Sequence, residues 1–176
     1  YVLVNFDPNI VPGWEMIKIG GSEVEIEVTD SESATGNKSL KLSQTKAWEV
    51  DPYKALEQFI QVKPNTTYEY GLKAKGDASP NGKPFFSVYG RTMTKRHHLT
   101  SSEDWVSYKF EVTTAKDQTQ LDFAILNEDV TSGLYIDDVY LREKGSSINL
   151  LSNGGMEDMA ASKSMVEQEM NDRGWY

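Results

Sequence analysis

Gly133-Leu134-Tyr135-Ile136-Asp137-Asp138-Val139-Tyr140-Leu141 is a strand sequence in which two adjacent acids stand where apolar side chains are expected. Leu134, Ile136, Val139, Tyr140 and Leu141 have the β-branched, aliphatic and aromatic character of a buried strand. Alternation sends Asp137 and Asp138 to opposite faces of the sheet, so one of them is expected to face the interior. An isolated buried charge is too costly to keep, so that carboxylate must be hydrogen-bonded, paired or bound to a metal.

The rest of the chain repeats the same two-residue period. Val24, Ile26 and Val28 oppose Glu23, Glu25 and Glu27, and Tyr68, Tyr70, Leu72 and Ala74 share one face. Phe86 and Val88 lie opposite Phe85, Ser87 and Tyr89; Tyr108, Phe110 and Val112 form one further face, and Leu121, Phe123 and Ile125 another. Turn residues punctuate these runs at Pro8 to Gly13, Ser31 to Asn37, Lys63 to Thr66 and Gly76 to Pro84, while the polar stretch 92–104 is expected to be a connection. No helical period precedes residue 156. Short strands at this spacing describe an all-β sandwich of two antiparallel sheets.

A length of 176 residues suits one domain with a tail. No apolar run is long enough for a membrane span, and no leader peptide is expected, because no basic segment followed by an apolar one opens the sequence. A net charge of −9 with one short basic cluster, Lys95-Arg96-His97-His98, argues against nucleic acid as a partner. Without cysteines, stability must come from the core, from oligomerisation or from a metal. The expected division is a sandwich over residues 1–144, then a linker and tail over 145–176. Leu150-Leu151-Ser152-Asn153-Gly154-Gly155-Met156-Glu157 echoes Leu3-Val4-Asn5-Phe6-Asp7, and Gly174-Trp175 echoes Gly13-Trp14. The tail is therefore either the opening of a second copy or a C-terminal helix favoured by its Met, Ala, Ser and Glu content.

The Tyr135 to Leu141 run resembles the last strand of the carbohydrate-binding modules of families 4, 9 and 22. Three further stretches fall in the order of those families: Leu3 to Asp7 with Pro12-Gly13-Trp14, Thr35 to Leu42, and Val62 to Tyr68. The resemblance implies a jelly roll, a structural calcium ion (Ca2+) and a sugar-binding face. Calcium wants six to eight oxygens, and Asp7, Asp137 and the backbone carbonyls of the Gly36-Asn37-Lys38 turn are candidate sources. By position the resemblance points to Asp7, Asn37, Lys38 and Asp137, with Asp138 competing for the last place. The alternative is that Asp7 caps a turn and Asp137 makes an ordinary hydrogen bond.

A sugar-binding face needs flat aromatic rings for pyranose C–H surfaces and polar groups for the hydroxyls at their edges. Trp48, Tyr53, Tyr89 and Arg91 are the candidates, with Gln58 and Glu128 as hydrogen-bonding neighbours; the resemblance implies an aromatic near Trp48. The chain departs from the xylan-binding members at Arg96, His97 and His98. That histidine pair lacks a third ligand and reads as part of a solvated loop. No nucleophile elbow, zinc motif or phosphate loop is present, so an enzyme is not expected. The expectation is a secreted or cell-surface module that binds a polysaccharide or oligosaccharide of β-glucan or xylan type and serves a tethered catalytic domain. The alternative is a β-sandwich interaction or spacer module of a modular surface protein, and a small jelly-roll hydrolase stands third.

Overall fold

A computed structural model describes residues 4–6, 11–19, 24–44, 54–78, 84–90, 93–126 and 131–158. It contains the strands β1 (Val4–Phe6), β2 (Glu15–Ile19), β3 (Val24–Thr29), β4 (Ser39–Gln44), β5 (Lys54–Gln61), β6 (Thr67–Gly76), β7 (Phe85–Gly90), β8 (Met93–His98), β9 (Ser102–Thr113), β10 (Gln120–Leu126) and β11 (Thr131–Glu143). They form a six-stranded sheet in the order β1-β2-β5-β10-β7-β8 and a five-stranded sheet in the order β3-β4-β11-β6-β9. Every pairing is antiparallel. Consecutive strands repeatedly change sheets, so the two inner faces close over one core.

The alternation in the sequence accounts for that core. Tyr68, Tyr70, Leu72 and Ala74 of β6 meet Leu121, Phe123 and Ile125 of β10 and Phe86 and Val88 of β7, all of them buried. Trp14, just before β2, packs edge-on against Phe123 with ring centroids 6.0 Å apart. Truncating one of these buried rings to alanine removes its transfer free energy and leaves a cavity, together about 3–5 kcal/mol.

Two strands have no clear hydrophobic signal. β2 is short, and β8 lies within the stretch expected to be a connection. Thr94, Lys95, Arg96 and His98 of β8 are exposed, and the Lys95 and Arg96 charges at a sheet edge discourage pairing with another chain. The expectation of a solvated His97-His98 loop is corrected accordingly. His97 turns inward, stacks on Phe110 with centroids 3.5 Å apart, and its Nε2 lies 2.6 Å from the Tyr70 hydroxyl. Burial, seconded by the Lys95 charge, pushes the His97 imidazole below its ordinary value, and burial pushes the Tyr70 phenol up to about 12. Below pH 6.5, the reference for an unperturbed histidine, the unfolded chain takes a proton that the folded chain resists. Stability from this group is complete above that pH and is lost as pH falls toward the lower folded value. Thermal unfolding should show a melting temperature that drops between about pH 7 and 5.5, and His97→Gln should flatten that slope.

The deciding strand also departs from simple alternation. A bulge interrupts the pairing of β11 with β6 between Asp137 and Tyr140, and Asp138 adopts φ 48°. The expected opposite orientation of the two acids is thereby corrected: both carboxylates reach the loop between β3 and β4. After β11 the chain turns back at Lys144-Gly145, and residues 149–158 pack on the sandwich, with Leu151 and Met156 in the main core. The part of the tail expected to be helical, from residue 159 on, lies outside the described residues.

Candidate functional site

Strand register builds the outer face of the six-stranded sheet from rows of side chains. One row runs Phe59 on β5, Asp122 on β10, Tyr89 on β7 and Thr94 on β8. The next row runs Glu57, Ala124, Ser87 and Arg96, and a third places Leu126 beside Phe85 and His98. With adjacent strands about 4.8 Å apart, Phe59 and Tyr89 stand about 10 Å apart at the backbone with a carboxylate between them.

Two zones follow from this. Phe85, Ala124 and Leu126 form a buried apolar patch against which Tyr89 packs, bounded by the Arg96 guanidinium 5.1 Å from the Phe85 ring. Beside it Phe59, Tyr89, Gly90, Asp122 and Gln120 line a cavity of roughly 380 Å3 with the 117–119 turn, a size typical of small-ligand sites. Gln118 stiffens that turn: its Oε1 accepts from the Ala115 N–H at 3.1 Å and its Nε2 donates to the Gln120 carbonyl at 3.3 Å. Phe59 remains 52% exposed, although it lies on a strand whose neighbours Leu56 and Ile60 are buried. A large apolar side chain so exposed beside a carboxylate is suited to a ligand with both C–H and hydroxyl surfaces.

Of the ligand residues expected from sequence, Tyr89 lies at the centre of this face. Gln58 lies on the other side of β5, where its Nε2 donates to the Ser152 carbonyl at 2.8 Å and its Oε1 accepts from the Ser152 N–H at 3.0 Å. Trp48, Tyr53, Arg91 and Glu128 lie outside the described residues. Sequence reasoning missed Phe59 and Asp122. Lys54 to Gln61 mixes apolar and polar residues in both phases, so no local pattern singles out Phe59.

The loop between β3 and β4 forms a second cluster. Asp137 is fully buried; its Oδ2 accepts from the Ala34 and Thr35 N–H groups at 2.8 and 3.2 Å, and its Oδ1 from the Asp138 N–H at 2.7 Å. Burial raises its carboxyl above the ordinary value, against the lowering effect of those amides. Asp138 takes the Thr35 hydroxyl and the Lys73 ammonium, the latter at 3.1 Å. The N–H groups of Asn37 and Lys38 both donate to Glu157 Oε1, at 3.0 and 3.1 Å. The structure thus brings Asp137, Asn37 and Lys38 to one loop and adds Glu157, while Asp7 lies outside the described residues. Among the described residues no three acidic, histidine or cysteine side chains converge on one point, so a cation here would draw on peptide carbonyls as well. An all-oxygen donor set of that kind fits calcium and not a transition metal.

Comparison with known proteins identifies the family. The family model for the carbohydrate-binding domain matches residues 5–131, and the chain belongs to that family. Among solved structures, it is similar to a family 16 carbohydrate-binding module, with 22% identity over 68% of this chain and 86% of that one and a TM-score of 0.54. It is also similar to the CBM22-1 xylan-binding domain from Paenibacillus barcinonensis Xyn10C, with 15% identity over 84% and 97% of the two chains and a TM-score of 0.52. The enzymatically active domain of a bacteriophage CBA120 tailspike protein shares the fold over 68% of this chain and 18% of that one, at 12% identity and a TM-score of 0.54. Comparison with curated protein sequences gives no significant match. No helix among the described residues is long and apolar enough to cross a membrane.

Proposed function

We propose that the protein binds polysaccharide chains of the β-glucan or xylan type along the outer face of the six-stranded sheet, as the non-catalytic module of a secreted or cell-surface polysaccharide-degrading enzyme. The row Phe59, Asp122, Tyr89 carries this reading. Two rings provide stacking surfaces and the carboxylate between them accepts from sugar hydroxyls. An acidic face of this kind favours a neutral chain. Holding a tethered glycoside hydrolase beside its substrate raises the local substrate concentration, which is how a module without chemistry of its own accelerates degradation. The xylan-binding domain that shares this fold supports xylan as a candidate ligand.

Affinity electrophoresis tests the reading. The chain should be retarded in gels containing xylan or β-glucan, retardation should disappear in Tyr89→Ala, and incubation with either polymer should release no reducing ends. Retardation in none of the gels, or turnover, would sink it.

We further propose a structural calcium ion at the loop between β3 and β4, held by Asp137, by carbonyls of the Gly36 to Lys38 turn and by Asp7 or Glu157. The ion supplies positive charge beside the buried Asp137 carboxylate, whose neighbour Asp138 carries the Lys73 ammonium. Chelation should lower the melting temperature by about 5–10 °C, the scale for a ligand present at a hundred times its dissociation constant, and added calcium should restore it. An unchanged melting curve in excess chelator refutes the ion.

A further inference from the structure

Residues 149–158 fill a defined slot. β4 pairs with β11 only as far as Ile136, so beyond the bulge that side of β11 is an open sheet edge. The segment takes it over. The Leu150 N–H donates to the Leu141 carbonyl at 2.8 Å and the Val139 N–H to the Gly154 carbonyl at 2.9 Å, while the Asn149 amide spans the Val139 carbonyl and the Leu141 N–H at 2.9 and 3.1 Å. Three more anchors reach elsewhere in the sandwich. Gln58 pairs with Ser152, the Trp14 indole donates to the Asn153 carbonyl at 3.3 Å, and the Asn153 amide donates to the Pro12 carbonyl at 3.0 Å. Leu151 and Met156 are buried, and Glu157 caps the Asn37 and Lys38 amides. Close approach requires glycine twice. A Cβ on Gly154 falls 2.0 Å from the Val139 carbonyl, and one on Gly36, at φ 64°, falls 2.2 Å from Glu157 Oε1.

The chain holds a second version of the segment that fills this slot. Leu3-Val4-Asn5-Phe6-Asp7 repeats its order of apolar pair, asparagine and apolar residue followed by an acid, and Gly13-Trp14 is matched by Gly174-Trp175. Glu157 is the acid that stands at the Gly36 to Lys38 turn, and Asp7 holds the corresponding last position of the opening motif. An apolar pit next to a pair of peptide N–H donors suits Phe-Asp as well as Met-Glu. We propose that the slot is a socket for the opening motif of a second copy of this module: the opening of a following copy leaves the edge of its own sheet, where Val4–Phe6 of this copy pair with β2, and closes the sandwich before it, as a donated strand completes a sheet edge.

This inference is independent of what the sheet face binds, and its test is read without glycan. In the full chain, Met156→Asp should lower the melting temperature by about 10 °C, the scale of a buried apolar contact replaced by a charge. A synthetic peptide of residues 149–158 in millimolar excess should restore at least half of that loss, because Met156→Asp leaves the socket intact; a peptide of residues 1–8 should do so in part. If Met156→Asp does not fold, Asn153→Ala serves as the milder variant for the same rescue. A melting temperature within about 2 °C of the parent for both variants, or no response to either peptide, overturns the proposal.

Discussion

Replacing Asp137 with alanine is expected to cost about 3 kcal/mol of stability, and Asp137→Asn about half of that. The estimate comes from what the carboxylate holds. It accepts from three peptide N–H groups, and stranding a buried donor costs about 1–3 kcal/mol. Thr35 is exposed and can turn its amide to water, whereas Ala34 and Asp138 are half-buried, so roughly two full penalties remain. Asparagine keeps one acceptor oxygen but not the charge that strengthens these bonds. Desolvation opposes the gain: burial raises the folded carboxyl above its reference of 3.8. This group alone therefore becomes less unfavourable as pH falls through its folded value, the opposite sign to His97. The amides dominate because without them the loop carrying Ala34 and Thr35 keeps only the bond from the Thr35 hydroxyl to Asp138 as a side-chain anchor on β11. Urea unfolding decides the matter. A loss under about 0.5 kcal/mol for the alanine variant, the range of an ordinary surface change, would show that the loop is held by Glu157 instead.

The sandwich was legible wherever the sequence alternates cleanly. Tyr68 to Ala74, Phe85 to Tyr89 and Leu121 to Ile125 take up their expected faces because one side of each strand must be apolar to meet the opposite sheet. Elements held by polar groups were not legible in this way. β8 forms because β7 offers it an edge, with Met93 and His97 turned to the core, so the local pattern of charges and histidines looks like loop. The Asp137-Asp138 bulge depends on backbone donors about a hundred residues earlier in the chain, which no local period encodes. The segment from Asn149 to Glu157 was recognised as a repeat, but its place depends on an edge left open where β4 stops.

The site was half legible for a related reason. Tyr89 could be assigned to the outer face because its strand neighbours Phe86 and Val88 claim the core. Phe59 and Asp122 were missed because their significance lies in register. Only the pairing of β5, β10 and β7 puts a ring, a carboxylate and a ring in line. Gln58, adjacent in sequence to Phe59, illustrates the converse, since one step along a strand moves a side chain from the outer face to the interior.

Loss of either ring of that row is expected to weaken polysaccharide binding at least tenfold, and loss of both no more than a few-fold beyond the worse single variant. Each ring contributes on the scale of an interface hot spot, about 1.5–2 kcal/mol, and tenfold in affinity is about 1.4 kcal/mol. Independent rings would multiply their effects to a hundredfold or more. Phe59 and Tyr89, about 10 Å apart across two strand spacings, instead face one gap about a pyranose wide with Asp122 at its floor. A sugar that loses one wall loses the orientation that lets it use the other, so the effects should be less than additive. Asp122→Asn keeps the shape of the floor and removes its charge, and should weaken binding less than either alanine variant. Calorimetric titration of the parent and the four variants with xylohexaose and cellohexaose measures these differences. Fully additive losses would mean that the two rings touch different sugars along an extended chain, and losses confined to Tyr89 would move the site away from β5 toward the patch formed by Phe85, Ala124 and Leu126.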